Sequence, residues 1–259
     1  MSYDERVVFF LDILGFKNII QSTINSDGSD NSNNIKNIHG MIDNFHYFIG
    51  VDRGQDSGDM MATQFSDSVV MSFPINKESG VYRSIHNILL LQITLVLFYG
   101  VLLRGGVSKG RLIHNDKELY GPALIDAYTL ESKAALYPRV ILDESIIDAG
   151  CSAHGTHHHS SHEREAILEI VSPDFDGMYF IDYIKNANST SADVDLPKYL
   201  SRIRDIVARE ISNPDLSIRI KFQWLKEKYL TYLDEVKLSA KDTLRNEELY
   251  QRYCAIPDI

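Results

Sequence analysis

Two aspartates stand where this chain could do chemistry. Asp12 follows the apolar run Val7-Val8-Phe9-Phe10-Leu11, and Asp67 lies between two further β-branched and aromatic runs, residues 60–65 and 69–73. Each carboxylate therefore falls at the end of a strand-like segment, at the rim of whatever sheet those segments build. Two converging carboxylates suit Mg²⁺ or Mn²⁺, which bind through one or two carboxylates together with the phosphate oxygens of a substrate. A lone loop aspartate more often caps a turn, and spacing by itself leaves both readings open. The other ligand-rich stretch, His154, His157, His158, His159 and His162, lies in a Ser/Gly-rich insert without regular ligand spacing. It is expected to be a solvated loop.

The elements that must position these residues follow from hydrophobic periodicity. Residues 7–11 form a strand, and Asp12 to Phe16 a turn into a helix reaching about residue 24. Ile35, Ile38, Met41, Ile42, Phe45 and Phe48 recur at helical spacing, and the polar segment 50–59 ends that helix. Residues 60–65 and 69–73 flank Ser66-Asp67-Ser68 as a hairpin with Asp67 at its tip. A buried helix over 82–99 leads into a strand over 101–107 that continues through Arg111 to His114. Tyr120-Gly121-Pro122 opens a helix over 123–136, with proline near its first turn. Residues 140–142, 167–171 and 178–184 read as further strands. This order predicts an α/β sandwich with helices on one sheet face. After residue 186 the strand signal stops and amphipathic helices follow over 198–211 and 216–237, so the chain divides into 1–186 and a helical extension, 187–259. Trp224, Leu225, Tyr229, Leu230 and Leu233 form a stripe suited to core or dimer packing. The mixed charges over 227–248 suit a solvated helical face.

Composition excludes several classes of function. The 259 residues carry 26 Lys plus Arg against 36 Asp plus Glu, a formal charge of −10, so the average field repels nucleic acid while leaving room for a single metal-held nucleotide. Two cysteines without C-x-x-C spacing support neither a disulfide framework nor a thiolate zinc site. The acidic start, with Asp4 and Glu5, is unlike a secretory signal. The apolar stretch 85–103 is interrupted by His86, Asn87, Gln92 and Thr94 and suits a buried helix better than a membrane span. A reducing cytoplasm without membrane attachment is the expected setting.

Four motifs together resemble the class III nucleotidyl cyclase catalytic domain. Phe10-Leu11-Asp12-Ile13-Leu14-Gly15-Phe16 is similar to that family's F-x-D-I-x-G-F strand and turn. Gln64 to Phe73 resembles its G-D-S-x-M-x-x-F hairpin, with Ser66 in place of the glycine. Leu103-Arg104-Gly105-Gly106-Val107-Ser108-Lys109-Gly110 resembles L-R-x-G-I-x-x-G, and Tyr120-Gly121-Pro122-Ala123-Leu124 resembles the W-G-x-x-V opening of the dimer-interface helix. The motifs occur in the family's order over roughly residues 6–185, a joint match far more specific than any one of them.

The resemblance implies a ferredoxin-like fold, a homodimer with shared active sites, and two Mg²⁺ or Mn²⁺ ions per site held by Asp12, Asp67 and the Ile13 carbonyl. It also implies triphosphate contacts from Arg104 and from the backbone of Gly15 and Phe16, and base contacts from Thr63 and Glu118. Ile125 and Thr129 stand where purine-using members carry Asn and Arg, and Thr63 stands where adenylyl cyclases carry Lys. These departures, with the Arg104-Gly105-Gly106 and Tyr128-x-Leu130-Glu131 spacing, are similar to the bacterial pyrimidine cyclases of anti-phage defence, the Pycsar cyclases. The substrate so implied is UTP slightly ahead of CTP, with a cyclic product read by a separate effector. An inactive, nucleotide-sensing homologue is the alternative. A palm-type polymerase or diguanylate cyclase is disfavoured, since no G-G-[DE]-[DE]-F hairpin occurs and the charge is acidic.

Overall fold

The structure, a computed structural model, describes residues 2–49, 60–157, 159–188, 194–242 and 247–259. The expected terminator over residues 50–59, and His158, lie outside the described residues. The chain forms two compact units, Met1–Gln92 with Val101–Asp182, and Ile93–Gly100 with Tyr183–Ile259.

The first unit is built on one mixed sheet. Its strands are β1 (Asp4–Ile13), β2 (Met61–Phe65), β3 (Ser68–Pro74), β4 (Leu103–His114), β5 (Leu119–Tyr120), β6 (Val140–Leu142), β7 (Val171–Pro173) and β8 (Tyr179–Ile181). They lie in the order β2-β3-β1-β4-β6-β8-β7, with β5 paired on the end of β4. The first four strands are antiparallel throughout, the β2-β3-β1-β4 order of a ferredoxin-like βαββαβ unit, and β6 then joins β4 in parallel. The α/β class expected from the sequence is therefore the one observed.

Helices cover both faces of the central strand, not one. Val7, Val8, Phe9 and Leu11 of β1 are all fully buried, although successive strand residues point to opposite faces. On one face Val8, Val70 and Leu112 pack with Ala123 and Ala127 of the helix Pro122–Thr129. On the other, Phe73 packs beside Phe9, and Gly80, at the start of the long helix Gly80–Thr94, lies against the Phe73 ring. A strand buried on both sides reads as a continuous apolar run, and this is why Val7 to Leu11 shows no polar alternation.

The helices are α1 (Phe16–Gln21), α2 (Ser32–Ile49), α3 (Gly80–Thr94), α4 (Pro122–Thr129), α5 (Glu144–Ser152), α6 (Ser160–Ile170), α7 (Leu196–Glu210), α8 (Leu216–Asp242) and α9 (Glu247–Cys254). Residues 167–171, expected to be a strand, belong mostly to α6, which runs to Ile170. Ile167 and Ile170 meet the core at i, i+3 spacing, and a short apolar run cannot by itself separate that from a buried strand. α6 also begins inside the expected Ser/His loop. α5 has no counterpart in the sequence expectation; Asp143 caps it by accepting from Ser145 N.

α3 continues through a π-helical turn, Leu95–Tyr99, to Gly100. The segment Gly80–Tyr99 has the length and hydropathy to cross a membrane, yet more than half of it is buried inside the fold, as a core helix would be.

In the second unit, Asp195 caps α7 by accepting from Lys198 N, and α7 buries Tyr199, Leu200, Ile203, Ile206 and Val207 on one stripe. Trp224, Leu225, Tyr229 and Leu233 of α8 are buried as expected, whereas Leu230 is exposed. Tyr199 donates its hydroxyl to Tyr183 O at 2.8 Å, and Arg252 pairs with Asp195.

Candidate active site

The end of β1 and the β2–β3 turn meet at the site. Ile13 N donates to Asp67 O at 3.1 Å, which sets the turn carrying Asp67 beside Asp12 at the same rim of the sheet. The hairpin turn is tight: Phe65 pairs with Ser68, and Ser66 takes a left-handed φ of 57°. That conformation explains why the resembled motif has glycine there, since it costs an L-residue about 1 kcal/mol. Burial raises the Asp12 carboxyl above its usual pKa; Arg104 opposes the rise and the nearby Asp67 charge adds to it. Ser68 Oγ also donates to Asp12 at 3.4 Å.

An all-oxygen donor pair that repels itself electrostatically is a fit for a hard divalent cation, with the Ile13 carbonyl next in the chain as a third donor. Among the described residues no group of three or more His, Cys, Asp or Glu is placed to hold a metal. Two carboxylates would leave most of the coordination shell to substrate and water.

Arg104 is not free at the rim. It stands directly opposite Asp12 in the β1–β4 register, its Nη2 donates to Asp12 Oδ2 at 3.1 Å, and the same nitrogen pairs with Glu131. The Glu131 side chain is only 4% exposed, so this is a largely desolvated pair.

A glycine makes the arrangement possible. A Cβ on Gly106 would lie 2.6 Å from Ala127 O and 2.9 Å from Glu131 N, so only glycine lets α4 and its π-helical continuation Leu130–Ala134 lie this close to β4. Ser108 Oγ fastens the same helix by donating to Ala123 O at 2.6 Å. In the sequence Glu131 stands out only as part of the Tyr128-x-Leu130-Glu131 spacing, without a role of its own. Its signal is an acid on the otherwise apolar inner face of a helix, where it needs a buried cation.

Of the two residues expected to face a base, Thr63 joins a separate polar chain within the first unit and Glu118 does not. Thr63 Oγ1 lies 2.9 Å from His114 Nε2, His114 Nδ1 lies 2.8 Å from Ser72 Oγ, and Arg6 Nε donates to Ser72 Oγ at 2.9 Å. Burial, and then the Arg6 charge, lower the His114 pKa to about 4, so the ring is neutral at ordinary pH. Glu118 is half-buried in the turn after His114. Asn115 shapes that turn: its Oδ1 accepts from Lys117 N and Glu118 N, and its backbone N donates to Glu118 O at 2.9 Å. The sequence pattern marks His114 only as a strand end.

Gly15 precedes α1 at φ 78°, in the left-handed region that glycine favours, and Phe16 is buried behind it. α1 has only six residues, so these amides form a turn more than a helix terminus. Of the histidine stretch, His157, His159 and His162 are exposed.

No protein-family model and no curated protein matches the chain. Among solved structures, the adenylyl cyclase CyaB from P. aeruginosa is similar at 12% identity and a TM-score of 0.47, over 70% of this chain and 94% of that one. A bacterial light-regulated adenylyl cyclase is similar at 13% and 0.43, over 73% and 96%. The catalytic core of a rhodopsin-guanylyl cyclase with converted specificity, in complex with ATPalphaS, is similar at 14% and 0.42, over 70% and 96%. At these identities and scores, function must be read from the chain's own residues.

Proposed function

We propose that the chain is a nucleotidyl cyclase that converts a pyrimidine nucleoside triphosphate to its 3′,5′-cyclic monophosphate and pyrophosphate. The observation that carries the reading is the meeting of Asp12 and Asp67 at one sheet rim, fastened by the Ile13–Asp67 backbone bond, with Arg104 directly across from Asp12. Three of the four motifs resembling class III cyclases contribute these positions, in the family's order, which supports the reading.

A divalent cation held by Asp12, Asp67 and the Ile13 carbonyl would acidify the ribose 3′-hydroxyl and offset phosphate charge. The 3′-oxygen forms its bond to the α-phosphorus as the bond to the leaving pyrophosphate breaks. Arg104 exchanges Asp12 for the triphosphate, its planar fork suiting phosphate oxygens, while Glu131 keeps the guanidinium anchored. The amides at Gly15 and Phe16 face the same phosphates, and Thr63 and Glu118 read the base.

A homodimer with shared sites is supported by α4, which buries Ala123 and Ala127 but exposes Ile125 (65%) and Tyr128 (53%) on its outer side. Ile125 and Thr129, in place of the Asn and Arg of purine-using members, fit either an inactive homologue or a divergent branch, and the Arg104-Gly105-Gly106 and Tyr128-x-Leu130-Glu131 spacing is what favours the pyrimidine branch, with a role in anti-phage signalling through a separate effector of the product.

Incubating the purified chain with each of the four labelled nucleoside triphosphates and Mn²⁺ tests the reading. Pyrophosphate and a cyclic pyrimidine nucleotide are expected. Nucleotide binding without turnover would replace the enzyme by a sensing module.

A further inference from the structure

We infer that Arg104 switches between Asp12 and a triphosphate while pivoting on Glu131, so that in the free chain the Asp12–Arg104 ion pair holds triphosphate binding down until Asp12 is occupied by a cation. The inference rests on the cyclase reading above and goes beyond it by assigning to the chain's own residues a coupling between the two halves of the site.

The two partners of Arg104 are not alike. Its Nη2 donates to Asp12 Oδ2 at 3.1 Å and also pairs with Glu131. The Glu131 side chain is 4% exposed and lies where Gly106 lets the continuation of α4 press on β4, so it has no water to turn to and no room to follow the guanidinium elsewhere. Asp12 stands near the end of β1 at the open rim, with its side chain 18% exposed. One partner is fixed and the other can be exchanged. The paired position also leaves Arg104 incompletely satisfied: its Nε is buried and has no acceptor among the described residues. An unmet buried donor is unfavourable, so a guanidinium held between two carboxylates in this way still has a reason to move towards an oxyanion.

The consequence is competition for one nitrogen. While Nη2 serves Asp12, that carboxylate is a weaker ligand for a cation and the guanidinium is held back from phosphate. Whichever ligand comes first must break the pair, and the second finds it already broken, so each raises the affinity of the other by the same factor. A cation lying between carboxylate and phosphate would couple the two in any such site. What the ion pair adds is separable, because it persists when no cation is present: Asp12 then lowers triphosphate affinity through Arg104. Asp67 supplies the contrast. The Ile13–Asp67 backbone bond sets it at the same rim, yet among the described residues Arg104 pairs with Asp12 and Glu131 and not with Asp67.

The test is isothermal titration calorimetry with inorganic tripolyphosphate, and with UTP, in excess EDTA at fixed ionic strength. The proteins are wild type, Asp12→Ala, Asp67→Ala, Arg104→Ala and the double variant Asp12→Ala/Arg104→Ala. Asp12→Ala should bind tripolyphosphate about tenfold or more tightly than wild type, the strength of one charge-assisted hydrogen bond, whereas Asp67→Ala, which removes the same charge from the same rim, should gain less than about threefold. In the Arg104→Ala background the gain from Asp12→Ala should shrink to that of Asp67→Ala. Equal gains in the two aspartate variants, a gain that survives the loss of Arg104, or no tripolyphosphate binding by any variant overturns the inference. Should Asp12→Ala fail to fold, Asp12→Asn keeps the shape, removes the charge and takes its place. Should Arg104→Ala bind too weakly to measure, the comparison of the two aspartate variants decides alone. Turnover is assayed separately with Mn²⁺: the expected binding pattern without pyrophosphate release overturns the cyclase reading alone, and pyrophosphate release with equal gains overturns the switch alone.

Discussion

Asp12 and Arg104 face one another across the β1–β4 pair, and Arg104 Nη2 donates to Asp12 Oδ2 at 3.1 Å. The residue proposed to hold a cation and the residue proposed to hold phosphate are thus each other's partners before either ligand arrives. One guanidinium facing Asp12, Glu131 and the nearby Asp67 offsets only part of the local negative charge, so substrate entry with its cation exchanges ion pairs at a rim that stays acidic.

Asp12→Ala and Asp67→Ala should both reduce pyrophosphate release to background, because each removes half of the carboxylate pair. Their stabilities should differ. Asp12 is largely buried and bonded to Arg104 and Ser68, so its loss should cost about 1–3 kcal/mol, whereas Asp67→Ala should cost less than about 1 kcal/mol. Urea denaturation beside an activity assay checks both, and turnover retained by either folded variant removes the two-carboxylate assignment.

Glu131→Ala should be more damaging to the fold than either. It strips a desolvated carboxylate from a guanidinium that is itself mostly enclosed, and breaking such a pair costs about 3–5 kcal/mol. Glu131→Gln, which keeps an acceptor, should recover part of that. Equal denaturation midpoints for wild type and Glu131→Ala would show that the pair contributes nothing.

Gly106→Ala should shift α4 away from β4, since its methyl group would meet backbone atoms at Ala127 and Glu131 that have no room to yield. A loss of about 1–3 kcal/mol is expected together with weaker self-association through the displaced α4 surface. Differential scanning calorimetry and analytical ultracentrifugation read the two effects; unchanged values in both would place the helix elsewhere.

For shared sites, mixing an Asp12→Ala chain with an Arg104→Ala chain should not restore activity, because both groups sit in one protomer's strand pair. Mixing Asp12→Ala with Glu118→Ala should restore some, if the base wall comes from the partner. Restoration in the first mixture alone reverses this geometry.

The His114 environment predicts a pH dependence of stability. Its pKa falls from 6.5 to about 4, so the folded chain binds this proton less readily than the unfolded chain. The contribution is complete above about pH 6.5 and is lost as pH falls towards 4, by about 3 kcal/mol at most. Arg6 faces the ring through Ser72 and adds to the penalty on its protonation. Between about pH 7.5 and about pH 5, wild type should therefore lose more stability than His114→Gln, which has no proton to gain there. Equal losses in the two proteins would mean that His114 titrates as an exposed histidine does.

How much of this was legible in the sequence differs from residue to residue. The run Val7 to Leu11, the hairpin about Asp67 and the Arg104-Gly105-Gly106 strand were readable because local pattern and motif spacing fix a strand and its end without knowledge of what packs on it. They located Asp12, Ile13, Asp67 and Arg104 in one sheet. The helix reaching Ile170 was misread, because a short apolar run buried by tertiary packing looks alike in either conformation. The pairing of Arg104 with Glu131, and the polar chain from Arg6 through Ser72 and His114 to Thr63, joins residues separated by long stretches of chain. No periodicity encodes such contacts; they exist only once strand register, the close approach of α4 at Gly106 and the exclusion of water have been decided together. Sequence by itself determined which groups could do chemistry and at which strand ends they stand. Tertiary structure alone decided their partners and their burial, and through these the upward shift of the Asp12 pKa and the neutral His114 ring beside Thr63, because electrostatics and hydrogen bonding depend on distances and burial that the order of residues does not contain.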